Sequence, residues 1–398
     1  MRVSAIALVA LLTLASCGGG GGGGGSSLPP AGPPPGGSTA IDQIVAQNWP
    51  GGWGVELAIY KNGAPLYVHG YGLRDRGLPD SFGNHDIWRV PQPDQLYNLP
   101  RGQFAPDANT IYDLASVSKA ITAGAILLLQ QDGKLSVNDP LSKFFPAFAS
   151  DPPIPLLDLL QQSSGLDDYT VDTNIGSVYR QFLAGGNTNY QPIVDFIAAA
   201  PLHFAPGTQY EYDNSNYFLL GLIVAQVAGE PLETFLQQRI LGPLGMTQTY
   251  EGLPPPPVTD IALGYGNFGA GPQRMWQANM AWVIGAGGLT STVGDLEKWD
   301  EAVRHPGIFT SSSLTQMFTP NPFPQSFGTY AEGWVISTLD GHRYIWHDGE
   351  LDGYMTMNAT FPDDGLDIII LTNRDLSNGP YFVIPAIFPI ALTIAKPI

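Results

Sequence analysis

The most informative part of the chain is residues 112–131, which read YDLASVSKAITAGAILLLQQ. Apolar side chains in this stretch recur at intervals of three and four residues, a spacing that places them on one face of an α-helix. The positions concerned are Ile121, Ala125, Leu128 and Leu129. We therefore predict a helix from Ser116 to Gln131, which Gly133 and the following Asp139-Pro140 pair bring to an end.

The first turn of this helix carries a hydroxyl and an amine. Ser116 and Lys119 are three residues apart, so their side chains share one face. A hydroxyl needs an adjacent base to act as a nucleophile, and Lys119 becomes such a base if burial lowers its pKa. The backbone N–H groups at the helix start would face an oxyanion forming at Ser116. The alternative is a capping serine followed by an exposed lysine. Among the six lysines of the chain, however, only Lys119 has a serine three residues before it.

A second candidate element is Tyr212-Asp213-Asn214. It precedes residues 217–227, which are apolar on nearly all sides and predict a buried helix. A phenol close to a serine can relay protons, and an asparagine amide can orient a carbonyl or the lysine. The alternative is a turn that only caps the buried helix.

The third candidate element is His347-Asp348-Gly349, at the end of a predicted strand. Glycine at this position would let a substrate lie close to the backbone. The next backbone N–H, that of Glu350, would complete an oxyanion hole. The alternative is a histidine with a structural role only.

Strands are predicted at both ends of the globular part. Residues 54–60 and 66–69 flank Lys61-Asn62-Gly63, a hairpin signal. Residues 333–338 and 342–348 also read as strands, joined by Asp340-Gly341, a second hairpin signal. Residues 353–361 and 366–372 read as strands joined by Asp363-Asp364-Gly365, and residues 381–395 as a helix packed on the sheet. The middle is mostly helical, and residues 76–107 read as a long loop. We predict an α+β fold whose sheet is completed by distant segments.

The composition excludes several functions. The chain has 17 basic and 35 acidic residues and a formal net charge of −18. Such a balance argues against nucleic-acid binding and against a polybasic contact with anionic lipid. The single cysteine and the spacing of the six histidines do not indicate a metal site, so we predict none.

The first 38 residues predict export and a membrane anchor. Arg2 precedes an apolar stretch, residues 3–14, which is too short to span a bilayer and reads as the core of a signal peptide. Residues 14–17 read LASC, which resembles the bacterial lipobox, in which the cysteine is lipidated. We predict a signal peptide at 1–16, lipidated Cys17 with a disordered Gly/Pro/Ser linker to 38, and one domain at 39–398. The domain would lie outside the cytoplasm, held at the membrane by the lipid on Cys17.

The three elements occur in the order Ser-x-x-Lys, Tyr-x-Asn, His-x-Gly, and together they resemble the penicillin-binding-protein-like serine hydrolases. This family includes class C β-lactamases, DD-peptidases, D-aminopeptidases and related esterases. The segments 159–166, 206–208 and 287–292 look like the same family, and the likeness covers residues 40–395. The resemblance implies an antiparallel sheet flanked by helices beside a mostly helical lobe, with the site between them.

The resemblance also implies roles for individual residues. Ser116 would be the nucleophile, and Lys119 and Tyr212 would share general-base and general-acid work. Asn214 would have an orienting role, and His347 would fill the first position of the third motif. The backbone N–H groups of Ser116 and Glu350 would form the oxyanion hole. The implied reaction is acylation of Ser116 followed by hydrolysis, on an ester or peptide substrate and with no cofactor.

One departure from the family bears on the substrate. The third motif usually reads Lys-Thr-Gly, which favours a substrate carboxylate, whereas here it reads His347-Asp348-Gly349 with Glu350 beyond. Asp348 and Glu350 share one strand face. If that face lines the cleft, one like-charge contact at about 4 Å costs about 4 kcal/mol, or roughly a thousandfold in affinity. We therefore expect an esterase or a D-amino-acid amidase or peptidase, with a β-lactamase or DD-carboxypeptidase as the alternative. A non-catalytic envelope binding protein is the alternative from another class.

Overall fold

The computed structural model describes residues 39–49, 52–76, 103–171, 175–186, 188–255, 258, 260–267, 272–275, 279–374 and 383–395. The predicted signal peptide, Cys17 and the linker lie outside these residues, as does most of the predicted loop 76–107. At the two ends of that loop, strand β3 (Asp75–Arg76) pairs with β4 (Gln103–Phe104) in antiparallel orientation.

A seven-stranded antiparallel sheet forms the centre of the molecule. Its strands are β1 Val55–Lys61, β2 Ala64–Tyr71, β10 Thr329–Tyr330, β11 Val335–Leu339, β12 His342–Leu351, β13 Tyr354–Phe361 and β14 Leu366–Thr372. Their order in the sheet is β10-β11-β12-β13-β14-β1-β2. Segments from the two ends of the chain meet where Val55 of β1 pairs with Thr372 of β14. The predicted α+β fold is therefore confirmed.

Two of the predicted hairpins have the turns that their sequences indicate. Asn62 and Gly63 have φ of 49° and 78°, and Asp340 and Gly341 have φ of 51° and 87°. Positive φ at both central residues is the signature of a type I′ turn, whose twist matches that of the flanking strands. The local turn chemistry thus sets the register of β1 with β2 and of β11 with β12.

Helices cover both faces of the sheet. They are α1 Thr39–Asn48, α2 Ser118–Gln131, α3 Leu156–Leu160, α4 Ile175–Ala184, α5 Gln191–Ala199, α6 Asn214–Ala228, α7 Leu232–Leu236, α8 Gly242–Leu244, α9 Val293–Arg304, α10 Ser311–Met317 and α11 Ile384–Ile394. Helices α1 and α11 pack together on one face, where Phe388 stacks on Phe361 with ring centroids 4.0 Å apart. Helix α9 packs on the opposite face, and the segment that leads into α2 lies against β12 and β13 on that face.

The predicted buried helix in the middle of the chain is α6, which packs against α2 and anchors a mostly helical lobe. The Asp213 side chain caps its start by accepting from the Ser215 N–H, and Gly229 ends it with φ of 76°. Short strands join this lobe to the site: β5 (Tyr112–Asp113), β6 (Tyr250–Glu251) and β9 (Leu289–Ser291) form a small sheet. Between β6 and β9 in the sequence, β7 (Tyr265–Asn267) and β8 (Pro272–Arg274) pair as a two-stranded antiparallel ribbon.

Within the described ranges, no single helix has the length and apolar character needed to cross a membrane. By length and composition alone, the segments 214–228 and 232–244 would pass such a test together, although they are bent by 75°.

Buried charges are concentrated between α9 and the sheet. Glu297, Asp300, Glu301 and Asp367 surround Arg304, whose guanidinium pairs with Asp367 and Glu301. Burial, followed by the charge of Asp367, raises the pKa of Glu297 to about 10. Because one cation serves four carboxyl groups there, the cluster holds protons at neutral pH. Three of its carboxylates, Glu297, Glu301 and Asp367, have oxygens within 4.8 Å of one another, but Arg304 already occupies the cationic position among them.

Candidate active site

Ser116 lies in a tight turn at the start of α2, in a 3-10 segment Ala115–Val117 that runs directly into the helix. Its side chain is half-buried, whereas Ser118 is fully buried and its Oγ accepts a hydrogen bond from the Leu289 N–H at 3.1 Å. Ser116 is therefore the serine that a substrate can reach. Ala115 has φ of 49°, a left-handed conformation that costs an alanine about 1–2 kcal/mol.

The strained turn is held in place by β12 and β13. A Cβ added to Gly349 would lie less than 2.5 Å from the Leu114 carbonyl oxygen and 3.0 Å from the Ala115 Cβ. The Thr356 hydroxyl donates a hydrogen bond to the same Leu114 carbonyl at 2.7 Å. Gly349 thus admits the turn that carries Ser116. The space that its missing side chain leaves is filled by protein backbone, so the glycine is needed for the fold of the site, and a substrate-flanking role for Gly349 stays a prediction.

The amine of Lys119 is fully buried and makes three short contacts. Its Nζ lies 3.0 Å from Ser116 Oγ, 2.8 Å from Asn214 Oδ1 and 2.7 Å from the Ala286 carbonyl oxygen. Burial lowers the pKa of Lys119 to about 7, although the nearby carboxylate of Asp168 opposes the shift. A substantial fraction of Lys119 is therefore neutral at neutral pH.

The partners of Lys119 dictate what the neutral amine does. A neutral amine has two N–H donors and one lone pair. The Asn214 and Ala286 oxygens can only accept, so they take the two N–H groups. The lone pair is left for Ser116, whose hydroxyl must then donate to Nζ. This is the geometry of a general base poised to take the serine proton.

Tyr212 is the third group near the serine, and the Ser116 side chain acts to lower the pKa of its phenol. Its ring also covers the Lys119 amine, which lies 4.9 Å from the ring centroid. Burial and then the neighbouring Tyr330 raise the pKa of the Tyr212 phenol well above its usual value. The phenol therefore stays protonated at neutral pH, so it can donate or relay a proton but cannot be the resting base. Of the two roles predicted for Tyr212, a protonated phenol favours the general acid over the general base.

His347 lies behind Tyr212, with ring centroids 6.1 Å apart. Its Nδ1 is 2.5 Å from the Asp348 carbonyl oxygen, which can only accept, so Nδ1 carries the proton. Its Nε2 then accepts from the Tyr330 hydroxyl at 3.0 Å. Burial and the charge of Lys119 lower the pKa of His347 to about 3. His347 is therefore a neutral side chain with both nitrogens engaged, which favours support of Tyr212. Its catalytic role stays a prediction.

Asp348 and Glu350 share one face of β12, as predicted, but it is the face opposite His347 and Gly349. Asp348 is about one-third exposed, at 31%, and Glu350 is exposed. Burial raises the pKa of Asp348 to about 6, against the effect of Lys119. Asp348 in turn acts electrostatically on Lys119 and Tyr212. Its charge therefore reaches the site although its side chain does not point at Ser116.

The backbone of β12 presents an N–H at the position predicted for the oxyanion hole. Leu351 and Tyr354 pair directly across a two-residue turn, which makes theirs a hydrogen-bonded pair. Hydrogen-bonded and non-hydrogen-bonded pairs alternate along an antiparallel ladder, so the Glu350 N–H points away from β13. The Glu350 N–H therefore lies on the side of β12 that faces β11. On that side the pairing with β11 ends at Trp346, before Glu350 is reached. The oxyanion hole of Ser116 and Glu350 stays a prediction that this geometry supports.

One functional contact was missed from the sequence, that of the Ala286 carbonyl in the loop 285–288, although the family-like segment 287–292 includes the end of this loop. Its Ala286 carbonyl binds Lys119, and its Gly285 carbonyl accepts from the Thr122 hydroxyl at 2.8 Å. Gly285 has φ of 70°, and a Cβ there would lie 2.6 Å from the Tyr217 carbonyl oxygen. The signal was present as a Gly-Ala-Gly-Gly run, but periodicity does not show that one of its carbonyls faces a lysine 167 residues away.

The sheet and the helical lobe hold a Ser-x-x-Lys pair between them, with the buried lysine amine beside the serine hydroxyl. The Beta-lactamase family profile matches residues 41–385, and the chain belongs to this family. The predicted family is therefore confirmed.

Individual relatives agree with this assignment. The chain is 30% identical to the protein PbpX of Bacillus subtilis (strain 168) over 275 residues, 68% of this chain and 63% of that protein. It is 27% identical to the protein flp of Staphylococcus aureus over 354 residues, 86% of this chain and 64% of that protein. The chain thus spans less than two thirds of the length of these curated relatives.

Solved structures share the fold. The octameric penicillin-binding protein homologue from Pyrococcus abyssi superimposes with a TM-score of 0.70 at 23% identity, covering 90% of this chain and 76% of that one. The D-amino acid amidase from Ochrobactrum anthropi SV3 superimposes with a TM-score of 0.68 at 22% identity, covering 89% of this chain and 97% of that one. The predicted β-lactamase/transpeptidase-like architecture is confirmed.

Proposed function

We propose that the protein hydrolyses an ester or amide bond through an acyl-enzyme on Ser116. The observation that carries this proposal is the amine of Lys119, whose two other contacts are obligate acceptors, so that its lone pair faces the serine hydroxyl. As Ser116 Oγ attacks the substrate carbonyl carbon, Lys119 takes the hydroxyl proton. The bond to the leaving group then breaks, and that group receives a proton through Lys119 or Tyr212. Water attacks the acyl-enzyme in the reverse sense, releasing the acid and restoring Ser116.

We infer that the preferred substrate carries no carboxylate next to the scissile bond. The charge of Asp348 reaches Lys119 and Tyr212, and Glu350 lies on the same face of β12. The neighbouring third-motif residue is a neutral His347. The charge that reaches Lys119 and Tyr212 from Asp348 is therefore negative, and the neutral His347 supplies no cation to offset it, which favours neutral esters and amides with a free amine.

The first experiment tests whether Ser116 reacts at all. The full chain is treated with a fluorophosphonate probe, which labels activated serines. Wild-type protein should be labelled, and Ser116→Ala should not. The matched control is Ser118→Ala, which removes the buried neighbouring serine and should keep the label. An unlabelled but folded wild-type chain would instead favour the non-catalytic binding protein.

The second experiment compares three substrates on the full chain: a short-chain p-nitrophenyl ester, a D-amino-acid anilide and nitrocefin. We expect kcat/KM to be higher for the ester or the anilide than for nitrocefin, which carries a carboxylate. Asp348→Asn should narrow the difference by improving nitrocefin turnover. Efficient nitrocefin turnover by the wild-type chain would favour the β-lactamase or DD-carboxypeptidase alternative.

We further propose that the chain is exported and held at the membrane by a lipid on Cys17, with the catalytic domain outside the cytoplasm. The sequence LASC at residues 14–17 and the Gly-rich stretch behind it support this. Cells expressing the full chain are fed an alkyne-bearing fatty acid. The wild-type chain should carry the alkyne in the membrane fraction, and Cys17→Ser should lose it. Equal alkyne incorporation in both would refute the anchor.

A further inference from the structure

Asp168 lies two residues beyond Leu166, next to the start of α6, and its carboxylate accepts four hydrogen bonds. Two come from Asn214: the backbone N–H to Oδ2 at 3.2 Å and the side-chain Nδ2 to Oδ2 at 3.0 Å. Two come from Thr170: the backbone N–H at 2.8 Å and the hydroxyl at 2.6 Å, both to Oδ1. No sequence motif assigned this residue a role.

These contacts determine which way the Asn214 amide points. Its Nδ2 donates to Asp168 and also to the Thr170 hydroxyl oxygen at 3.1 Å, so both N–H groups of the amide are used there. Its Oδ1 is thereby turned to the Lys119 amine, 2.8 Å away. A flipped amide would place its oxygen against a carboxylate and its NH₂ against an amine, which is unfavourable at both ends. Asp168 thus orients the group that orients Lys119.

The same carboxylate acts on Lys119 through its charge. Burial disfavours the ammonium form of Lys119, and Asp168 is the strongest of the nearby charges that oppose this effect. Asp213 at the start of α6 and Asp348 on β12 act in the same direction but less strongly. The other titratable groups that face the amine are Tyr212 before α6, Tyr217 on α6 and His347 on β12. Of these, His347 is neutral, and the two phenols stay protonated because burial raises the pKa of each.

We propose that Asp168 is a positioning residue for the reaction: through Asn214 it aims the Lys119 amine at Ser116, and through its charge it sets the pH above which Ser116 becomes reactive. This inference rests on the proposed function, because it needs Lys119 to be the base.

The test measures the rate of fluorophosphonate labelling of the full chain between pH 5 and pH 10. Wild-type labelling rises with pH as Lys119 loses its proton. Asp168→Asn keeps the shape but removes the charge, so the midpoint should move down by about one pH unit. The matched control is Asp167→Asn, which removes the carboxylate of the adjacent residue. Because Asp167 pairs with His203 and not with Asn214, this variant should leave the midpoint unchanged. Asp168→Ala should in addition slow labelling at every pH, by about tenfold or more, because Asn214 loses its orientation.

A second variant separates orientation from charge. Thr170→Val keeps the charge of the Asp168 carboxylate but removes the other acceptor of the Asn214 amide and the hydroxyl that donates to Asp168. It should slow labelling severalfold with an unchanged midpoint, and it keeps the inference testable if Asp168→Asn does not fold. An unmoved midpoint in folded Asp168→Asn, or wild-type labelling rates in Thr170→Val, would overturn the role of Asp168 and leave the proposed function intact. A folded wild-type chain whose Ser116 is never labelled would overturn the proposed function itself.

Discussion

Replacing Gly349 by alanine tests the contact on which the geometry of the site depends. The added Cβ would lie less than 2.5 Å from the Leu114 carbonyl oxygen and 3.0 Å from the Ala115 Cβ, whereas ordinary contact begins near 3.4 Å. Strand β12 must therefore withdraw from the Ser116 turn by about 1 Å, which carries the Glu350 N–H away from the site where an oxyanion would form. Losing one such donor costs about 10²–10³ in kcat, or about 3–4 kcal/mol. Overpacking of this kind destabilises a fold by only about 1–3 kcal/mol.

The assay is kcat/KM for a p-nitrophenyl ester, together with the urea-unfolding midpoint of the same preparation. We expect folded Gly349→Ala to lose at least about a hundredfold in kcat. The matched control is Gly307→Ala, where the nearest atom to an added Cβ is 4.0 Å away and the backbone φ is not positive. It should retain wild-type kcat. A folded Gly349→Ala protein with wild-type kcat would show that β12 does not need to approach the turn this closely.

Three further outcomes follow from the buried charges and hydrogen bonds. The pKa of Lys119 is about 7 in the folded protein and near 10.5 in the unfolded chain, so between these values only the unfolded wild-type chain binds the proton. The free energy of unfolding of Lys119→Met relative to wild type should therefore rise as the pH falls from about 10 to about 7 and stay constant below about pH 7. Urea titrations at each pH measure this difference. Arg304→Met should destabilise the fold by about 3–5 kcal/mol at neutral pH, because it leaves Asp367 without its cation. The difference in Tm between the variant and wild type should be smaller at about pH 5, because carboxyl groups take up protons more readily there. Tyr330→Phe removes the donor to His347 Nε2 and should cost about 1–3 kcal/mol of stability, with loss of kcat rather than a change in KM.

The local elements of the fold were readable from the sequence because short-range patterns encode them. The periodicity at Ile121 and Leu128 predicted α2, and the Asn62-Gly63 and Asp340-Gly341 dipeptides predicted two hairpins whose turns have the expected φ values. Strand β14 begins and ends where the sequence indicated. The type and approximate limits of such elements follow from backbone preferences and from alternation of buried and exposed positions.

The arrangement of the site was readable only in part. The motifs identified Ser116, Lys119, Tyr212 and Asn214, and the structure brings these four together. The sequence did not show that His347 is neutral, because its pKa depends on burial against residues far away in the chain.

Gly349 and the Ala286 carbonyl show the same limit. A glycine that accommodates a substrate and one that accommodates the protein backbone look identical in a sequence, and a main-chain carbonyl leaves no trace in residue identity. Both contacts join segments more than 160 residues apart, whereas the patterns used for prediction extend over fewer than about 20 residues.

The pairing of β1 with β14 has a consequence for how the chain reaches its final state. Strand β2, the hairpin partner of residues 55–61, is made directly after them, whereas their second partner, residues 366–372, is made about 300 residues later. The contact order is therefore high, and the central sheet cannot close until nearly the whole polypeptide is present. A nascent chain of this kind stays unfolded for longer than one whose N-terminal segments pair only with each other. An unfolded chain is the form that can pass through a narrow secretion channel. Moving β1 and β2 to the C-terminal end by circular permutation would bring the two partners close in sequence and would be expected to speed folding.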